Sequence, residues 1–289
     1  MTNFLLRLSY DGTLFHGWQI QPGLRTLQGT LTEAVERVCG ERAVIHGSGR
    51  TDAGVHALEQ VASLELATRL EAAALGRALN AVLPPELRVL EARLASPGFH
   101  ARRDARGKLY GYRILRSRIC PPFLRHYSYH FPYPLEENAM AEAAGHFCGE
   151  HEFRQFASGP PPPSGTRRTL FYSALSRRVA APDELWFELA GSGFLHHMVR
   201  RIGGFLLEIG LGLRRASDLP AWLEGRGAGA ASRTLPARGL FLMRVFYGDE
   251  LNSAYPLSVG IGLAPPGCDR RGLAPPARFG ETQGESGKP

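Results

Sequence analysis

The order and period of the apolar residues predict an α+β fold, with two ferredoxin-like halves, a mostly antiparallel sheet and helices on one of its faces. Three features of the sequence point to it. Residues 4–94 read β-α-β-β-α-β, a similar order recurs over residues 108–247, and beyond residue 248 Pro and Gly dominate. The expected division is therefore residues 1–105 for the first half, 106–248 for the second, and 249–289 for a disordered Pro- and Gly-rich tail.

Taken in order, Phe4, Leu6, Leu8 and Tyr10 alternate with Leu5, Arg7 and Ser9, the period of a strand, and Asp11-Gly12 turns the chain. Leu27, Leu31, Val35 and Val38 recur at helical spacing, and Gly40 stops that helix. Residues 43–46 lead into a Gly-rich loop, and residues 60–66 continue as a strand with Ala62, Leu64 and Leu66 on one face. A second helix runs through Leu75, Leu79 and Val82 until Pro84-Pro85 ends it, and Leu90, Ala92 and Leu94 mark the next strand.

In the second half, strands are expected within residues 108–115, 127–131, 169–179, 185–190 and 240–247, with one helix through Met140, Ala144 and Phe147. The main helix has Leu195, Met198, Ile202, Phe205, Leu206 and Ile209 on its apolar face. His197, Arg200 and Arg201 fall on another face, which spacing alone makes a solvated one. In the tail, Gly262-Leu263-Ala264-Pro265-Pro266 returns as Gly272-Leu273-Ala274-Pro275-Pro276, a low-complexity pattern.

A chain with 44% hydrophobic and 21% charged residues is ordinary for a soluble globular protein. Lys+Arg 34 against Asp+Glu 27 gives a net charge of +7, which favours a polyanionic partner, nucleic acid first. Cys39, Cys120, Cys148 and Cys268 stand apart from one another, so reduced, buried thiols are expected rather than a zinc ribbon or disulfide framework. The start has no basic stretch followed by an apolar one, and no apolar run approaches the roughly 18 residues of a membrane span. The expectation is a cytoplasmic protein with no membrane partner.

Chemistry concentrates in residues 46–57, where Gly47, Gly49 and Gly54 bracket Arg50-Thr51-Asp52. Such a loop can hold the Asp52 carboxylate out for use. Arg50 can lie beside it and favour its ionised form, which suits a nucleophile or an electrostatic group; a tight turn with a surface ion pair fits the spacing equally well. His196-His197 lies in the main helix without the spacing of a His-Glu-x-x-His site, so no metal is expected. The loop is neither a dinucleotide fingerprint nor a Walker loop, so no cofactor is expected. Only Glu59 is acidic nearby, which disfavours a two-carboxylate glycosidase. Tyr110 and Tyr112 share a strand face, and an aromatic beside arginines on an open sheet suits base stacking, with core packing the alternative for Tyr112.

Gly49-Arg50-Thr51-Asp52-Ala53-Gly54-Val55-His56-Ala57 resembles the signature of the tRNA pseudouridine(38-40) synthases, the tRNA pseudouridine synthase A family. Tyr10-Asp11-Gly12, Gly17-Trp18-Gln19, Phe99-His100-Ala101-Arg102, Lys108-Leu109-Tyr110, His151-Glu152-Phe153, Phe194-Leu195-His196-His197-Met198-Val199-Arg200 and Gly239-Leu240-Phe241-Leu242 are similar to family segments in the family's order. The resemblance implies the pseudouridine synthase fold and a cofactor-free homodimer that isomerises uridine in the anticodon arm of tRNA. It assigns Asp52 as the catalytic aspartate, Tyr110 as the tyrosine packing on the target base, and Arg50 and Arg200 as arginines near the aspartate and the flipped nucleotide. The Pro-rich segment of residues 159–163 and the long tail depart from the family pattern. The competing class is a non-catalytic RNA-binding module, which a carboxylate aimed at a phosphate-rich ligand would only repel.

Overall fold

The computed structural model describes residues 1–248; the tail expected over 249–289, and its disorder, lie outside the described residues. β1 (Thr2–Tyr10) buries Phe4, Leu6, Leu8 and Tyr10 and pairs antiparallel with β3 (His56–Leu66) on one side and β4 (Leu87–Leu94) on the other. Between β1 and β3 run α1 (Leu27–Cys39) and the short β2 (His46–Gly47). Thr26 Oγ1 accepts the Gly29 N–H at the start of α1, and Gly40 closes it at φ 73°, a left-handed cap that costs glycine little. α2 (Ala72–Val82) precedes β4 and ends before the Pro84-Pro85 pair, which cannot continue a helix.

The second set comprises β5 (Gly107–Leu115), β6 (Tyr129–His130), α3 (Glu137–Gly145), β7 (Gly149–Glu152), β8 (Arg167–Arg178), β9 (Ala181–Gly191), α4 (Met198–Gly210), α5 (Leu219–Leu223) and β10 (Leu240–Phe246). All the strands join one sheet in the order β4-β1-β3-β10-β5-β9-β8-β7, with β2 on β3 and β6 on β5. The pairings are antiparallel except β5–β6 and the seam between the two sets, where Phe241 and Leu242 of β10 face His56 and Ala57 of β3 in parallel. At that seam β10 lies between the strand that leaves the Gly-rich loop and the strand that carries Tyr110.

One large core joins Leu31, Leu75, Met140 and Phe205 of α1 to α4 to one face of the sheet. On the other face Leu109, Trp186, Ala190, Phe241 and Met243 form a smaller cluster of strand residues alone. Among the described residues no helix is long and apolar enough to cross a membrane.

Four expectations change. β4 buries Leu87 and Val89 and leaves Leu90 48% exposed, because the pairing passes from Arg7–Glu91 to Leu8–Val89 and skips Leu90, while Leu94, level with Phe4 at the end of the strand, is 67% exposed. α4 begins only at Met198, so His196 and His197 precede the helix. Tyr110 and Tyr112 face the helix-bearing side of the sheet, not an open one, and Tyr112 is fully buried with its hydroxyl donating to the Pro236 carbonyl at 2.8 Å. Cys39 and Cys120 are free and only half-buried, whereas Cys148 is disulfide-bonded and not a reduced thiol.

Candidate active site

The loop between β2 and β3 is anchored by buried polar groups rather than by a strand ladder. Gln60, fully buried on β3, donates to the Gly49 carbonyl at 2.9 Å and accepts from Ser48 Oγ at 2.6 Å. Tyr10 OH and Thr51 Oγ1 share a hydrogen bond of 2.9 Å, and the Trp18 N–H donates to the Thr51 carbonyl at 3.0 Å. Val55 N–H then donates back to the Asp52 carbonyl at 3.1 Å, closing a four-residue turn whose third position, Gly54, has φ 77°. A residue with a side chain is strained there, which is why the turn uses glycine. Gly12 comes so close to the loop that a Cβ on it would lie 2.0 Å from the Val55 carbonyl oxygen.

The exit of the loop is fixed by His56, which is 1% exposed. Its Nδ1 accepts the Gly12 N–H at 3.1 Å, so the proton sits on Nε2, which donates to the His126 carbonyl at 2.9 Å. Burial lowers the imidazole pKa, with neighbouring Asp11 opposing that shift. Asp11 Oδ2 in turn accepts the Tyr127 hydroxyl at 2.6 Å, tying the turn after β1 to the second half of the chain.

Asp52 is thereby held at a cavity of about 1080 Å³ lined by Trp18, Arg50, Tyr110, Phe194, His197 and Leu240 among others. Its partner is Arg200, whose NH1 donates to Oδ2 at 2.9 Å while its Nε donates to the Leu235 carbonyl at 2.6 Å. The guanidinium is thus fixed at two of its donors, and its side chain is 14% exposed against 28% for Asp52. The solvated-face expectation does not hold for this arginine, nor for Arg201, which donates to the Ala157 carbonyl at 3.1 Å. Arg50 lines the same cavity but makes no ion pair among the described residues, because it stands exposed at the rim while Arg200 reaches the carboxylate from α4. Glu59 is engaged by Arg7 at 3.2 Å, away from Asp52.

The two histidines before α4 also converge on Asp52. His196 Nε2 lies 3.6 Å from Oδ1, His197 Nε2 lies 3.4 Å from Oδ2, and the two rings are 3.8 Å apart. His197 is held at φ 61°, the one left-handed non-glycine residue among those described, and its Nδ1 meets Ser158 Oγ at 3.0 Å. Burial lowers its pKa, so the ring is neutral near pH 7 although Asp52 pulls the other way. The donor atoms of Asp52, His196 and His197 lie within 4.8 Å of one another and could hold a metal ion, which would have to share the carboxylate with Arg200. Spacing alone could not find this group, since it depends on the bend at His197.

Tyr110 lies on β5 directly across from Leu242 of β10, and its ring meets Phe194 edge-on with centroids 5.0 Å apart. Burial, with smaller contributions from Tyr10 and Asp52, raises its pKa far enough that the phenol keeps its proton at every working pH. It can therefore offer a ring face or donate a hydrogen bond, and it is no base in this state.

A model of the family described as tRNA pseudouridine synthase matches residues 8–102 and 143–248. The chain is 45% identical over 250 residues to the tRNA pseudouridine synthase A of Solibacter usitatus, covering 86% of this chain and 100% of that one. It is 41% identical over 257 residues to the protein of the same name from Limosilactobacillus fermentum, covering 88% and 99%.

Proposed function

We propose a function from one premise, that the chain belongs to the tRNA pseudouridine synthase family. It is an isomerase that converts uridine to pseudouridine in tRNA, and our reading places the target at positions 38–40 of the anticodon stem-loop, with Asp52 as the nucleophile. The observation that carries the assignment is a single carboxylate, oriented by Arg200, facing an open cavity that Tyr110 also lines.

The reaction breaks the C1′–N1 bond, joins C1′ to C5, releases the C5 proton and leaves a proton on N1. Neither oxidation nor a cofactor enters that balance. A carboxylate can open the sequence by attack or by proton abstraction, and the Arg200 guanidinium, donating to Oδ2 at 2.9 Å, keeps it aimed. A base within or beside a stem must leave its stack first; the Tyr110 ring would receive it, and exposed Arg50 at the rim is placed to enter the vacated space. The enzyme would work as a cytoplasmic homodimer on the anticodon arm of tRNA.

Incubation with unmodified tRNA transcripts carrying C5-tritiated uridine tests this reading. Tritium should be released without added cofactor when uridine occupies positions 38–40, and not when those positions hold cytidine. Release that persists with cytidine there would move the target elsewhere in the tRNA, and no release from any transcript would overturn the activity.

A further inference from the structure

The wall of the cavity next to Tyr110 carries two cations, Lys108 and Arg102, that have no part in the proposed chemistry. Lys108 stands two residues before Tyr110 on β5, hence on the same face of the strand and roughly 6.6 Å along it. Its Cε lies over the catalytic loop, 3.0 Å from where a Cβ on Gly49 would stand, and its Nζ lies 3.9 Å from the same point. Arg102 and Arg50 line the cavity with it. Among the described residues no carboxylate forms an ion pair with any of the three, and Asp52 on the same cavity is already engaged by Arg200.

Taking the proposed RNA substrate as given, we propose that Lys108, with Arg102, seats a backbone phosphate of the bound strand beside the nucleotide that Tyr110 receives. An ammonium drawn out of water without a counter-ion is costly, and a cavity wall that keeps one is complementary to an anion that arrives with the ligand. Burial, with repulsion from Arg102 added, pulls the Lys108 pKa down from 10.5 to about 8, as expected of a cation whose partner has yet to bind. Only a group carrying its own negative charge supplies that partner, and in a nucleic-acid strand this is the phosphodiester. Gly49 serves the same arrangement, since a side chain there would press on the lysine stem.

The test is the salt dependence of tRNA binding and turnover for the full-length protein and its Lys108→Met and Lys108→Arg variants. Lys108→Met should raise KM at least about tenfold, with the loss concentrated in KM, and should flatten the slope of log affinity against log salt by about one. Lys108→Arg, which keeps the charge, should keep the slope. Thermal melting separates binding from folding: removing an unpaired buried cation should leave the melting temperature at pH 7 unchanged or higher. A Lys108→Met protein that melts normally and keeps the wild-type KM and salt slope overturns the phosphate seat. A variant that melts earlier and loses affinity only in proportion to its unfolded fraction overturns it too. A wild-type enzyme that releases no tritium from any tRNA refutes instead the activity on which the proposal rests.

Discussion

Two connections occupy the same place in the strand order and are built in opposite ways. In the second set of strands, β8 and β9 run 12 and 11 residues and turn over at residues 179–180, with Val179 wholly in solvent. In the first set, β2 has only 2 residues, and the chain leaves the ladder for residues 48–55 before β3 begins. A hairpin satisfies its backbone by pairing. The loop gives up that pairing and takes hydrogen bonds instead from Gln60 of the adjoining β3 and from Tyr10 and Trp18, which are distant in sequence. The proposed chemistry sits where the regular connection was abandoned, and the geometry there depends on the rest of the fold.

That contrast sets an order of sensitivity. Among the residues around Asp52 the largest effect is expected at Arg200: Lys keeps the charge but cannot hold both the Leu235 carbonyl and the carboxylate, so Arg200→Lys should lower kcat by about 10- to 100-fold, the equivalent of one charge-assisted hydrogen bond. Wild-type turnover at saturating tRNA would return Arg200 to a structural role. Next comes Tyr110, where loss of the ring should cost about 1 to 3 kcal/mol of stacking, so Tyr110→Ala should be far slower than Tyr110→Phe. Equal inactivity of the two would show that the hydroxyl takes part in proton transfer.

Smaller changes should appear in stability. Gln60→Leu strips the loop of its buried anchor and should destabilise by about 1 to 3 kcal/mol in denaturant unfolding, whereas Val179→Asn in the opposite hairpin should stay within about 0.5 kcal/mol. Equal effects at the two sites would erase the distinction between them. Because burial lowers the His56 pKa, the folded protein holds this ring neutral, and its contribution is intact above the unfolded value of about 6.5 and lost as pH falls below it. His56→Gln should therefore show a weaker decline in melting temperature between pH 7 and pH 5 than the wild type; an unchanged decline would place the acid sensitivity in other groups.

Much of the fold was legible because it is written in local periods: the alternation of Phe4, Leu6 and Leu8, the helical spacing of Leu27, Leu31 and Val35, and the stops at Gly40 and Pro84. Parity along a strand was legible as well, but not which side would receive the helices, so Tyr110 was expected on an open face. The β4 residues were misplaced because Leu90 is an extra residue at the point where the pairing with β1 shifts, and the local alternation does not announce it. At the site, the glycines around Asp52 left an aimed carboxylate and a tight turn with an ion pair equally open, and only the family signature favoured the first. What spacing could not give was its partner: Arg200 lies 148 residues away, and an arginine on a helix looks the same from sequence whether it meets water or a carboxylate. The left-handed His197 is hidden for the same reason, since nothing local demands that a histidine adopt it.

In the proposed reaction one carboxylate acts on the chemistry rather than on affinity, and replacing it measures that directly. Asp52→Asn and Asp52→Ala, assayed for tritium release from C5-labelled tRNA and in parallel for tRNA binding, should lose turnover by at least about 10⁴-fold while binding stays within a few-fold of wild type. Turnover retained in Asp52→Ala, with the protein folded and tRNA bound, would contradict the assignment.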